Sequence, residues 1–478
     1  MEIIHVSAEC YPVAKAGGLG DVVGALPKYQ NDLGHITRVV IPMYRTKFLY
    51  QNEWELVHEG GQQLGAHWYK YAVIREKTKK LGFELYLIDI NGLLDREKIY
   101  GYDDDADRFL AFQIAVCDWL SKWQVKPDII HCHDHHTGLI PFMVKYCYDF
   151  SSLAKVPTIF TIHNAEYQGW IGWDKQHLLP PYDSWKWGLL DWNNTINPLA
   201  SAVKCAWKVT TVSHSYMDEL RMSANGVENL MQYEMGKSVG ILNGIDADVW
   251  NPQKDNLIIK NYDEYLVKEG KNKNKKELTA LFGLDEEKPL IVFIGRLVGE
   301  KAADILPDVI RNSIYHYRGN ANFLILGSGD SIVENRLEEV KDQLKGYVNT
   351  YIGYNEALSH LMYAGADFLL MPSRVEPCGL NQMYALRYGT VPMVRSTGGL
   401  KDTVKDFGDW QGYGIRFNNA DVQDITHSVG RAIDLYNNKR DLYNWMRSYM
   451  MGINHSWDES AKEYIRLYES LIINDRHK

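Results

Sequence analysis

Short apolar runs alternate with amphipathic helical patterns over nearly the whole chain, the pattern of parallel sheets covered by helices. In the first half the runs 3–8, 38–41, 83–88, 128–132, 158–162, 208–212 and 239–242 predict strands. In the second half the runs 290–295, 322–326, 348–352, 368–371, 391–394 and 414–417 do the same. Between the sets lies a polar stretch, 251–274, running into KEGKNKNKKE, without the apolar periodicity of a core strand. The pattern predicts a doubly wound α/β protein in two domains, the first over 1–250 and the second from 251 onward. The KNKNKK run reads as a solvated, mobile face.

Composition narrows the partners. A chain of 478 residues, 45% hydrophobic and 12% aromatic, has material for large cores. A net charge of -9 argues against a general nucleic-acid or anionic-membrane role, while leaving room for a local basic pocket. Six cysteines without a C-x-x-C pair, and a start at Met1-Glu-Ile-Ile without a basic or long apolar segment, lead us to expect a cytoplasmic protein with reduced thiols. No run reaches the roughly 20 apolar residues of a membrane span.

In open parallel sheets ligands bind outside the carboxyl ends of the strands, so polar residues there are the candidates. The richest place is 376–388, EPCGLNQMYALRY, where Glu376 follows a predicted strand and Cys378, Gly379 and Leu380 offer backbone amides before a helix. The next strand ends in Thr397, Gly398 and Gly399, where bare backbone can approach an anion. Lys15 with Gly17 and Gly18 forms a glycine loop whose spacing is poor for a dinucleotide fingerprint but suits a phosphate, and a plain strand-to-helix turn serves it equally. Arg296 and Lys301 follow a strand on one loop and suit a diphosphate held by cations; their bland alternative is a surface pair with Glu300 or Asp304. His163-Asn164, Ser213-His214, Asn243 and Tyr354 stand at further strand ends.

Two motifs point elsewhere. His131-Cys-His-Asp-His-His136 approximates a di-metal hydrolase pattern, but its aspartate falls one position early, which favours a self-satisfied cluster in which His136 meets a substrate hydroxyl. Asp103-Asp-Asp105 precedes a helix and reads as an exposed acidic first turn.

Taken together, Lys15-x-Gly-Gly-Leu-Gly-Asp21, His133-Asp-x-His136, Thr161-Ile-His-Asn164, Tyr167-Gln-Gly169, Asn243-Gly-Ile-Asp246 with Trp250-Asn-Pro252, Arg296, Lys301, Glu376-Pro-Cys-Gly-Leu380 and Thr397-Gly-Gly-Leu-x-Asp-Thr-Val404 resemble the bacterial and plant-type glycogen and starch synthases. The order and spacing match over nearly the entire chain. The resemblance implies a GT-B fold: two Rossmann-like domains facing a deep cleft, 1–250 and 251–455, and a closing helix, 456–478, that returns to the first. It also implies retaining transfer of glucose from ADP-glucose to the non-reducing end of an α-1,4-glucan (glycogen), with no metal and no other cofactor. Carried over by position, Lys15, Gly17 and Gly18 contact the donor, Arg296 and Lys301 neutralise the leaving diphosphate, and His136 meets the donor glucose. Glu376 holds glucose hydroxyls beside the amides of Cys378 to Leu380. Asn243 joins the donor site, Tyr354 stacks near the base, and Thr397 to Gly399 close around the phosphates. The chain departs from the family at Glu300, Ala302, Ala303, Asn381 and His135, and matches poorly over 54–80. The alternatives are a metal-dependent hydrolase on His131 to His136 and a non-catalytic carbohydrate scaffold; retention of Lys15, Arg296, Lys301 and Glu376 argues against the second.

Overall fold

The computed structural model describes residues 1–476 and divides into two compact units, Met1–Asn243 with the C-terminal segment from Trp457, and Gly244–Ser456. In the first unit the described residues build a nine-stranded sheet, in spatial order Ser238–Gly240, Lys208–Thr211, Thr158–Ile162, Ile129–His133, Glu2–Val6, Ile36–Pro42, Glu84–Asp89, His67–Glu76 and Trp54–Leu64. The first seven are parallel; the last two form an antiparallel hairpin on its edge. The second unit has a six-stranded parallel sheet in the order Val348–Ile352, Asn322–Gly327, Leu290–Ile294, Phe368–Met371, Val391–Arg395 and Ile415–Phe417. Runs such as IIHCH and NFLILG are buried along their whole length because helices cover both faces of a parallel sheet.

Helix starts follow local chemistry. The side chains of Asn197, Asp330, Asn355 and Asp421 each accept an amide of the first turn they precede, satisfying donors that have no partner inside the helix. The final helix, Trp457–Arg476, belongs to the first unit: Trp457, Ala461, Tyr464 and Tyr468 pack into a core with Val22, Leu26 and Ile129. Among the described residues no helix is long and apolar enough to cross a membrane.

Two expectations need correction. The KNKNKK run is solvated on one side only: Val267–Phe282 is a helix, ended by Gly283 at φ +63, with Asn272, Lys273 and Lys276 exposed and Lys271, Asn274 and Lys275 buried. Lys271 Nζ donates to the carbonyls of Tyr363, Ala364 and Tyr388 and to Thr390 Oγ1. Lys275 Nζ pairs with Asp367 at 2.7 Å. The unit boundary also falls at Asn243/Gly244 rather than after residue 250. Ile245 N donates to His455 O at 2.8 Å, and the Trp250 ring stacks on His360 and Tyr384, so this segment belongs to the second unit's packing.

Candidate active site

In the second unit the strand Phe368–Met371 delivers Glu376, 7% exposed, to its carboxyl end. Lys301 Nζ lies 2.5 Å from Glu376 Oε2, and Ser373 Oγ donates to the same oxygen at 2.9 Å. The sequence separates this cation and this carboxylate by a whole βαβ stretch; parallel neighbours bring their loops together. Gly398, at φ +45, belongs to the adjacent strand's end, and a Cβ there would run into the Glu376 carbonyl oxygen. Gly399 N donates to the carbonyls of Glu376 and Pro377, at 3.2 and 3.1 Å. Glycine is needed here for close approach of two loops, which fixes the backbone of Glu376 against Thr397 to Gly399. Cys378 is buried, and Gly379 takes φ +73 before the short helix Asn381–Arg387.

Arg296 is more open than Lys301. Its side chain is 60% exposed, with Nη2 3.4 Å from Glu300 Oε2, an ion pair that solvent weakens. Asp304 is held by Arg374 at 2.6 Å. Of the departures, Ala302 sits at φ +54, a region where a side chain costs roughly 1–2 kcal/mol. Asn381 Nδ2 donates to Ile294 O at 2.7 Å, tying the glycine turn to the neighbouring strand. Tyr354 is 84% exposed on the loop after Val348–Ile352, where Gly353 N donates to Gly327 O.

In the first unit Lys15 Nζ pairs with Asp21 at 2.7 Å and stands 5.5 Å from the Tyr11 ring. A Cβ on Gly17 or Gly18 would meet nothing within 4 Å, so these positions are open for an incoming group. Gly24 serves a different purpose: a Cβ there would lie 2.5 Å from Tyr11 O, so its helix can pack on the preceding loop only without a side chain. Glu9 organises this loop, a residue that sequence reasoning missed. Its buried Oε2 accepts from the amides of Ala16 and Gly17, at 2.7 and 2.9 Å, and its Oε1 accepts from Tyr100 Oη at 2.6 Å. The available signal was a lone charge inside the otherwise uncharged run HVSAECYPVA.

The histidine motif divides into two groups. His136 is half-buried, with its ring stacked on Tyr100 at 4.7 Å, edge-on to Phe109, and against His135; its Nδ1 is buried without a partner. Burial holds the His136 ring well below the usual histidine range, so it is neutral. His131 and His133, on the strand Ile129–His133, group with His5 and His163 instead. The three rings of His5, His131 and His133 lie close enough to hold an ion. Their nitrogens are instead bonded to one another and to Gln30, Tyr468, Thr161 and His163. Such a cluster is satisfied without a metal, and a cation entering it would break those bonds. Asp134, at φ +57, accepts from His163 N at 2.7 Å, and burial pushes its carboxyl up to about 7. Asn243 is buried with Oδ1 unpartnered, a polar atom awaiting a donor. Asp104 and Asp105 pair with Arg96 and Arg108, which makes the acidic run a structural helix start.

Residues 2–233 match the starch synthase catalytic domain family, and residues 274–447 match the glycosyl transferases group 1 family. A glycogen synthase from Flavobacterium johnsoniae is 53% identical over 472 residues, covering 99% of each chain. The chain belongs to the glycogen and starch synthase family. A glycogen synthase from Thermodesulfovibrio yellowstonii is 37% identical, covering 99% of this chain and 98% of its own. The catalytic domain of starch synthase IV from Arabidopsis thaliana, solved with ADP and acarbose, superimposes with a TM-score of 0.87 at 31% identity, covering 98% of this chain and 99% of that one. A sucrose-phosphate synthase from Thermosynechococcus elongatus, at 14% identity and a TM-score of 0.64, shares the fold. The fold is therefore GT-B, with two Rossmann-like units, and this family member is a hexosyltransferase of glycogen or starch synthesis. The metal-hydrolase alternative finds no support.

Proposed function

We propose that this protein extends an α-1,4-glucan at its non-reducing end with glucose from ADP-glucose, retaining the anomeric configuration, and works in the cytoplasm, where its buried free cysteines stay reduced. The observation that carries the reading is the Lys301–Glu376 pair, held at the strand ends of the second unit against the Thr397 to Gly399 turn. Both bonds to Glu376 fall on Oε2, which leaves Oε1 for a sugar hydroxyl. Lys301 carries the mobile charge that a departing diphosphate needs, and Arg296 supplies a second cation from the same loop. Cys378 to Leu380 and Thr397 to Gly399 bring backbone close to the phosphates.

Lys15, beside the open Gly17 and Gly18, meets the donor from the first unit, and Asn243 Oδ1 accepts one of its hydroxyls. Tyr354 offers an exposed ring to the base. His136 is a neutral ring near the donor glucose, and His163, with Asp134 on its amide, is a second group at the same strand ends. In a retaining transfer the leaving phosphate can itself accept the acceptor's proton, so the protein's work is positioning and charge stabilisation. The test is incubation with glycogen primer and ADP-glucose, with UDP-glucose in parallel. Chain extension with release of ADP is expected; no transfer from either donor would overturn the reading.

A further inference from the structure

Four buried histidines of the first unit form one continuous hydrogen-bonded chain. His163 Nε2 meets His133 Nδ1 at 3.0 Å, His133 Nε2 meets His5 Nδ1 at 3.0 Å, and His5 Nε2 meets Gln30 Oε1 at 2.7 Å. Gln30 Nε2 donates to Tyr468 Oη at 3.2 Å, Tyr468 Oη meets His131 Nδ1 at 2.6 Å, and His131 Nε2 meets Thr161 Oγ1 at 2.6 Å. Thr161 Oγ1 then meets Thr210 Oγ1 at 2.6 Å. Burial holds all four rings below the usual histidine range, His5 to about 4 and His163 to about 3. Each ring is therefore neutral at pH 7, with one N–H and one bare nitrogen.

Neutral rings in series leave no independent choices. Gln30 turns an acceptor to His5, so His5 must carry its proton on Nε2 and accept on Nδ1. His133 must then donate from Nε2 and accept on Nδ1, and His163 must donate from Nε2. On the other arm the amide of Gln30 donates to the tyrosine, whose proton then goes to His131 Nδ1, so His131 donates from Nε2 to Thr161. All four rings take the Nε2–H tautomer. Inverting the one amide would invert every bond and move all four protons to Nδ1. Nδ1 of His163 is the ring nitrogen that the chain leaves unused.

We infer that Gln30 is a positioning residue: it fixes His163 as a hydrogen-bond acceptor at Nδ1 toward a substrate hydroxyl, and Tyr468 ties the closing helix into that setting. Substrate contact by His163 rests on the transferase reading above; the polarity of the chain does not. The closing helix thus acts on the strand-end site through Tyr468, which is buried together with Gln30 and His131.

The experiment is long-range 1H–15N spectroscopy of ring nitrogens in the full chain labelled with 15N-histidine, beside steady-state kinetics of Gln30→Leu and Tyr468→Phe. The wild type should show His5, His131, His133 and His163 protonated on Nε2. Both variants should show a mixed His163 tautomer and lose about tenfold in kcat, with KM for the glucan within about twofold, as for loss of a group that orients a reacting one. A purely structural role would lower the melting temperature and leave the His163 tautomer single. Should Gln30→Leu fail to fold, Tyr468→Phe, which keeps the ring packed, decides. Nδ1–H rings in the wild type, or a His163 tautomer and kcat unchanged in the folded variants, would overturn the inference. If the wild type extends no glucan, the transferase reading falls while the spectra still decide the polarity of the chain.

Discussion

At the scale of single residues, the site depends on a few contacts that tolerate little change. Lys301→Ala removes the charge proposed to meet the leaving diphosphate and should lower kcat by about 10², the cost of losing one preorganised stabilising group. Near-normal turnover at saturating donor would show that Lys301 has another role. The same change leaves Glu376, 7% exposed, without its cation. Gly398→Ala tests the backbone contact independently. The new Cβ would meet the Glu376 carbonyl at a φ of +45, so overpacking of about 1–3 kcal/mol adds to backbone strain. Urea unfolding should show that loss, and activity should fall with it because the carboxylate is displaced. An unperturbed melt would mean that the loop relaxes freely.

At the scale of elements, the apolar runs named from sequence all became strands, central ones because a strand covered on both faces must be apolar along its length, while Val348–Ile352, on the sheet's edge, is exposed at its end. The hairpin Trp54–Leu64 and His67–Glu76 escaped that reasoning: it lies on the sheet's edge, half-buried, and its sequence neither alternates cleanly nor runs apolar. The helix Val267–Phe282 escaped for the opposite reason, since Lys271, Asn274 and Lys275 interrupt its buried apolar face, and the groups that receive the two lysines, such as Tyr363 and Asp367, lie far along the chain. Candidate site residues were legible where they punctuate strand ends, as at Glu376 and Lys301. Glu9 and Gln30 were not, because nothing local distinguishes a carboxylate that braces a loop, or an amide that orders a ring, from ordinary polar residues. The lysine face gives a prediction of its own. Lys275 and Asp367 are each 6% exposed, and Asp367 also accepts from Leu290 N and Tyr443 Oη. Lys275→Met strands that carboxylate and should destabilise the second unit by about 3–5 kcal/mol. Adding Asp367→Leu should recover part of the loss in a double-mutant cycle. Additive losses would show that the pair is not coupled.

At the scale of the whole molecule, the buried titratable groups are unevenly divided. The first unit holds His5, His131, His133, His135, His136 and His163, each pushed by burial below its ordinary range, with His5 and His135 near 4 and His163 near 3. Their folded values lie below the unfolded value of about 6.5, so the unfolded chain binds more protons and stability falls with pH from about 6.5 downward. Each such ring costs up to about 1.4 kcal/mol per pH unit over that window. Asp134 opposes them: with its value raised to about 7, it adds stability that grows as pH drops from 7 toward 4, and Asp89 is raised by burial too, but these are two groups against six. In the second unit, Asp255, Asp304, Asp367 and Asp406 are lowered in the fold: at Asp255, Asp367 and Asp406 burial opposes ionisation and is outweighed by hydrogen bonds and neighbouring cations, and at Asp304 the hydrogen bond from Arg374 leads. Their contribution persists above the ordinary carboxylate range and is lost only as pH falls through the lowered values. His455, near 4, is its one counterpart to the six rings named above. Between pH 6.5 and 4.5 the first unit should therefore open first. Hydrogen exchange as a function of pH should show amide protection in the strands Glu2–Val6, Ile129–His133 and Thr158–Ile162 falling steeply, while Leu290–Ile294 and Asn322–Gly327 hold. Protection lost first in the second unit, or equally in both, would contradict this division and with it the neutral state of the histidine chain.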